Sequence, residues 1–180
     1  MTETAASLPA EVLPAYAGTG LADPRVQRAI DLACREAELL DRKLYLAWQV
    51  LYSDEAVYVV PIDRDAESFD DILNMVYDDK RMRALRVARM TEGHAMAVVD
   101  AATTVRTVGR FVPAQVTDQE VTLRFAQTLV AYKRGRYDLW AGDIDYVVRL
   151  GDSPVQDRIQ RKVIRLVDSE AAVPAAGFLL

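Results

Sequence analysis

Residues 120–168, EVTLRFAQTLVAYKRGRYDLWAGDIDYVVRLGDSPVQDRIQRKVIRLVD, decide the fold. β-branched and aromatic residues alternate with polar ones over 121–132, 137–150 and 158–168, the two-residue period of strands buried on one face. Trp140, Ile144, Tyr146, Val148 and Leu150 share one side of the middle run, and Asp143, Asp145 and Arg149 share the other. The connections 133–136 and 151–154 each contain a glycine, Gly135 and Gly151, where a tight reversal wants one. Three long antiparallel neighbours follow, with one face for a core and one for polar groups.

The helices come earlier in the chain. Asp23-Pro24 is a helix start, a capping side chain followed by proline at the first helical position. Val26, Ile30, Ala33, Cys34, Ala37, Leu40, Leu44, Ala47, Trp48 and Leu51 then recur at steps of three and four and form one apolar stripe. The pattern fits one helix, or two with a break near residues 41–43. Residues 56–61 read as a short strand ended by Pro61, 62–71 as an acidic loop, and 72–77 as a second short strand or a helical turn. Asp78-Asp79 caps a helix over 80–90. Its Lys80, Arg81, Arg83, Arg86 and Arg89 spread over more than one face and read as a solvated surface or a partner contact. Residues 105–116 read as a strand with a bulge or edge position at Gly109 and Pro113. Helices first and a meander afterwards give an α+β layer.

Residues 1–22, with Pro9, Pro14, Gly18 and Gly20, read as an extended arm, and 23–180 as one domain. The chain has 180 residues, 51% of them hydrophobic, so it can bury a core without disulfide or metal staples. Cys34 is its one cysteine and cannot form an intrachain bridge, which fits a reducing compartment. There is no apolar run of about 18 residues, and acids stand near the start where a signal peptide carries positive charge. The expectation is a cytoplasmic protein off the membrane. A net charge of −5 argues against a general role on nucleic acid.

Five stretches in order resemble the small (β) subunit of aromatic-ring-hydroxylating dioxygenases, the Rieske non-haem iron oxygenases. Glu36-Ala37-Glu38-Leu39-Leu40-Asp41 followed by Trp48 resembles the family's E-A-x-L-L-D helix. Tyr58-Val59-Val60-Pro61 resembles its Y-x-V-P strand, and Tyr77-Asp78-Asp79 its Y-x-D-D element. Arg106-Thr107 with Arg110-Phe111-Val112 resembles an R-T-R-x-x-V strand. Trp140-Ala141-Gly142 through Tyr146-Val147-Val148-Arg149 resembles an F-A-G to D-V-L-R strand. The resemblance spans 23–180. Ala114-Gln115-Val116 departs from the usual S-N-V, and 152–157 from the usual glycine-rich turn.

The resemblance implies a cone-shaped α+β fold, a curved mixed or antiparallel sheet packed on N-terminal helices, like nuclear transport factor two and scytalone dehydratase. It also implies a mainly structural subunit that assembles with a large α subunit, typically as α3β3. In that family the α subunit holds the Rieske [2Fe-2S] cluster and the mononuclear Fe(II), and a reductase or ferredoxin supplies electrons for the catabolism of aromatic compounds.

The residues agree with that division of labour. A Rieske centre takes two cysteines and two histidines, and a mononuclear oxygenase iron takes two histidines and a carboxylate. One cysteine, Cys34, and one histidine, His94, cannot build either within these 180 residues. Cys34 reads as a small hydrophobe of the stripe, His94 as a loop or packing residue, and Asp143 with Asp145 as a solvated pair or subunit contact. No catalytic, cofactor-binding or metal-binding residue is expected in this chain. Phe178-Leu179-Leu180 is an apolar segment better buried against a neighbour than left in water, which makes these residues candidate assembly contacts. The same cone fold also hosts stand-alone isomerases and dehydratases. An Asp with a Tyr could serve such an enzyme, drawn from Asp54 or Asp100 and Tyr16, Tyr45, Tyr52, Tyr58 or Tyr132. Nothing in their spacing selects a pair.

Overall fold

The computed structural model describes residues 18–91, 102–170 and 178–180. Most of the expected arm, His94, Tyr16 and Asp100 lie outside the described residues. Helix α1 (Pro24–Asp41) begins as its sequence requires, with Asp23 Oδ1 accepting the Arg25 N–H at 2.8 Å and Pro24 in the first turn. The Arg25 guanidinium also bonds the Asp23 carboxyl, which lowers its pKa to about 2.

The chain breaks after Asp41. Arg42 caps α1, Lys43 takes a left-handed φ of 58°, and a short α2 (Tyr45–Gln49) restarts in a different phase. The stripe therefore needs correction: Leu44 and Ala47 are exposed because the break rotates them outward. Cys34 is exposed too. The buried face of α1 runs through Ala29, Ala33, Glu36, Ala37 and Leu40, and Cys34, one residue past Ala33, is turned about 100° around the helix from it.

The strands are β1 (Tyr52–Pro61), β2 (Asn74–Asp78), β3 (Thr103–Val116), β4 (Glu120–Lys133), β5 (Arg136–Arg149) and β6 (Arg158–Leu166), with α3 (Lys80–Thr91) between β2 and β3. They form one curved, open six-stranded sheet in the order β2-β1-β6-β5-β4-β3. β4 and β5 pair without a break and β5 pairs with β6 with one register shift between Val147 and Val148; Phe125 of β4 lies opposite Ile144 of β5, which lies opposite Ile164 of β6. Only β1 against β6 is parallel, so the sheet is mixed.

The two turns use glycine differently. Arg134 and Gly135 both have positive φ, 50° and 80°, as a two-residue hairpin turn of the primed kind requires. The second connection is not a tight reversal, contrary to expectation. It carries a 3₁₀ turn, Pro154–Gln156, and a side chain on Gly151 would place its Cβ 2.4 Å from Gln156 Cβ.

One sheet face packs on α1 and buries Leu123, Phe125, Ile144, Tyr146 and Ile164. Trp48, fully buried, meets Tyr52 and Tyr58 edge to face with ring centroids 5.0 and 6.0 Å apart. Helix α3 packs on β1 and β2. Asp79 caps it, Oδ1 accepting the Met82 N–H at 2.7 Å. Its arginines are not all a solvated face. Arg83 is buried, donates to the carbonyls of Ala56, Asp78 and Ser53, and lies 4.9 Å from the Tyr52 ring centre, while Arg86 pairs with the buried Asp78 at 2.5 Å. These contacts hold α3 to the sheet edge. No helix among the described residues is long and apolar enough to cross a membrane.

Candidate functional site

The interior, between α1 and the sheet, contains a set of buried polar groups. Glu36 stands on the core face of α1 between Ala33 and Ala37 and is 2% exposed. Its Oε1 accepts the Trp48 indole N–H at 3.0 Å and the Tyr52 hydroxyl at 2.6 Å, and its Oε2 lies 3.2 Å from Lys162 Nζ. Every polar atom of that carboxylate has a partner, the condition under which a buried charge is tolerated. Lys162 comes from β6, so the ion pair joins the first helix to the last strand.

The segment Phe178–Leu180 closes the same space. The Tyr58 hydroxyl donates to the Leu180 carbonyl at 2.8 Å and accepts the Leu180 N–H at 3.1 Å. Lys162 Nζ donates to the same carbonyl at 3.4 Å. Arg106 of β3, paired with Asp41, donates to the Leu179 carbonyl. The Phe178 ring meets Trp140 edge on, with centroids 5.7 Å apart, and Leu179 and Leu180 are buried. The segment offered as an assembly contact thus lies in this chain's own core.

Burial sets the chemistry of these groups. Desolvation, reinforced by the Glu36 charge, pushes the hydroxyl pKa values of Tyr52, Tyr58 and Tyr146 well up, and desolvation pulls that of Lys162 down. Tyr52 with Glu36 is a carboxylate–hydroxyl pair, but both residues are sealed from solvent.

Of the residues considered for acid/base work, Asp54 is exposed and paired with Lys80 at 2.7 Å, Tyr132 is exposed, and Tyr45 is buried with no hydrogen bond to an aspartate among the described residues. Tyr52 and Tyr58 come together in the core, with Glu36 rather than an aspartate. Sequence reasoning missed Glu36 and Lys162. The signal for Glu36 was its place four residues from both Leu32 and Leu40 on the core face. The thiol of Cys34 is raised by partial burial and by Asp31, so little of it is thiolate near neutral pH.

On the opposite sheet face, Asp143 and Asp145 of β5 carry a network of arginines. Asp143 binds both Arg64 and Arg110, and Asp145 binds Arg165 at 2.8 Å. Arg165 also donates to the carbonyls of Arg64 and Ala66 at 2.6 and 2.8 Å and covers the Phe69 ring. A cavity of about 290 Å³ opens here, lined by Arg110, Val112, Arg124, Asp143 and Asp145 among others. Among the described residues no group of three or more His, Cys, Asp or Glu is placed to hold a metal ion.

Residues 35–171 match the family described as Ring hydroxylating beta subunit, and the chain belongs to it. Among solved structures it is similar to the beta subunit of the benzoate 1,2-dioxygenase from Burkholderia mallei, with 21% identity, a TM-score of 0.68, and 89% of this chain and 100% of that one covered. It is also similar to naphthalene 1,2-dioxygenase with indole bound in the active site, at 18% identity and a TM-score of 0.69, over 85% of this chain and 82% of that one. A third likeness is an NTF2-like protein with a cystatin-like fold from Novosphingobium aromaticivorans, with 16% identity, a TM-score of 0.55, and 85% and 96% coverage. These likenesses establish the fold. No curated protein matches the sequence.

Proposed function

We propose that this chain is the structural subunit of a multicomponent aromatic-ring-hydroxylating dioxygenase and performs no chemistry by itself. The match of residues 35–171 to the ring-hydroxylating beta subunits carries the reading. The core agrees with it: Trp48, Tyr146, Leu179 and Leu180 are buried there among apolar neighbours, and the Glu36–Tyr52 pair is sealed from solvent. The partner is an α subunit carrying the Rieske cluster and the mononuclear iron, joined as α3β3 in the cytoplasm. A reductase, with or without a ferredoxin, feeds it electrons from NAD(P)H for aromatic catabolism.

The rigid elements suit a platform. An ion pair from α1 to β6, a guanidinium from β3 and a hydroxyl from β1 all converge on one segment, so the helices, the sheet and the chain's last residues move together. Coexpression with the α subunit followed by sizing tests the proposal. A single complex containing both chains is expected, and two chains that elute apart at micromolar concentration would refute it.

A further inference from the structure

We infer that Tyr58, Arg106, Trp140 and Lys162 form a peptide-recognition site on the core face of the sheet, one that takes an extended aromatic–leucine–leucine segment and is filled in cis by residues 178–180. No main-chain to main-chain hydrogen bond ties those three residues to a strand among the described residues. Side chains hold them instead, and they read the backbone. The Tyr58 hydroxyl accepts the Leu180 N–H at 3.1 Å and donates to its carbonyl at 2.8 Å, Lys162 Nζ donates to the same carbonyl at 3.4 Å, and Arg106 donates to that of Leu179. The Phe178 ring against Trp140 and the burial of Leu179 and Leu180 then select the residue types.

The site has anchors of its own besides the segment. Arg106, Leu129 and Trp140 stand opposite one another in a row across β3, β4 and β5, and Tyr146, Lys162 and Tyr58 in a second row across β5, β6 and β1. Each donor is held from elsewhere: Arg106 by Asp41 and Thr104, Lys162 by Glu36 at 3.2 Å, and the Tyr58 ring edge to face with Trp48, centroids 6.0 Å apart. A preformed site loses little freedom on binding, which lets a short peptide hold. Charge narrows the ligand. Both cations already have a carboxylate, so neither needs an anionic ligand, and neutral peptide carbonyls suit their remaining N–H groups. Main-chain groups read by fixed partners, with side chains taken into apolar surroundings, are a recurring mode of peptide recognition. The inference holds whether or not an α subunit binds this chain.

The test uses the full chain carrying Leu179→Lys and Leu180→Lys, whose own segment resists burial beside Lys162 and Arg106, and an amidated peptide of residues 175–180, Ala-Ala-Gly-Phe-Leu-Leu. A short linker supplies an effective concentration on the order of 1 mM, so a segment that stays docked in cis has a Kd for its site below about 1 mM. The peptide should bind the double variant saturably with a Kd below about 1 mM and shift tryptophan emission to the blue as its phenylalanine covers Trp140. The parent chain, with its site filled, should bind the peptide at least about tenfold more weakly. A peptide N-methylated at its last leucine lacks the N–H that Tyr58 accepts and should bind the double variant about tenfold more weakly. Where the double variant does not fold by itself, the unmethylated peptide at about 5 mM should restore its circular dichroism. No binding by a folded double variant, no recovery of an unfolded one, equal binding by parent and variant, or equal binding of the methylated peptide would each overturn the inference.

Discussion

Lys162 Nζ lies 3.2 Å from Glu36 Oε2, with both side chains at most 2% exposed, so the first helix and the last strand are joined by an ion pair sealed from water. Removing one member of such a pair costs far more than the pair contributes, because the other charge is left buried. Lys162→Met should therefore lose about 3–5 kcal/mol in urea unfolding. Combining it with Glu36→Gln, which keeps an acceptor for Trp48 and Tyr52, should restore stability to within about 1–2 kcal/mol of the parent. A double variant no more stable than Lys162→Met alone would show that the charges are not coupled.

The segment Phe178–Leu180 should behave as core. Leu179→Ala is expected to cost about 2–5 kcal/mol, the range for truncating a buried leucine. Deleting residues 178–180 should cost more and shift Trp140 emission to the red, since Phe178 covers that indole. A deletion variant with parental unfolding and unchanged emission would place the segment outside the core.

Alkaline pH should unfold the protein. Tyr52, Tyr58 and Tyr146 have folded-state pKa values above the ordinary value of about 10. Each therefore contributes stability that is intact below pH ~10 and falls as pH rises from there toward the folded value. Lys162, lowered by burial, acts in the opposite sense, and three hydroxyls outweigh one ammonium. Stability should decline from about pH 10 upward, with tyrosinate absorbance appearing in step with loss of structure. Free titration of all eight tyrosines at pH ~10 in a folded chain would contradict this.

The two turn glycines should respond differently. Gly135→Ala, at φ 80° in open space, should cost about 1 kcal/mol through backbone strain. Gly151→Ala should cost about 1–3 kcal/mol, because its Cβ meets the backbone of Gln156 at 3.0 Å as well as its side chain. Equal losses would mean that strain alone governs both.

How much of this was legible depended on range. The meander could be read because alternation and turn chemistry are local, and the β3 irregularity announced itself through Gly109 and Pro113. The parallel pairing of β1 with β6 could not, since it joins residues about a hundred positions apart with no short-range signal. The α1–α2 break sat near residues 41–43, one of the two readings the pattern allowed, and its effect on phase misplaced Leu44 and Ala47, while Cys34 was misplaced by its angle beside Ala33 within α1. Charged residues carried the largest surprise. Arg83, Arg106 and Lys162 read as surface residues by type, and only their distant partners, from Ala56 to Leu180, make their burial tolerable. The apolar segment Phe178–Leu180 was read as a contact with a neighbour, and nothing local said that this chain's own Tyr58 and Trp140 would meet it.

Oxygen uptake tests the central claim most directly. The purified chain, the α subunit, and the two together are assayed with the reductase, any ferredoxin, NAD(P)H and an aromatic substrate. The account predicts no uptake by this chain alone and substrate-dependent uptake by the joint complex. Turnover of any substrate by the chain alone, or full activity of the α subunit without it, would contradict the account.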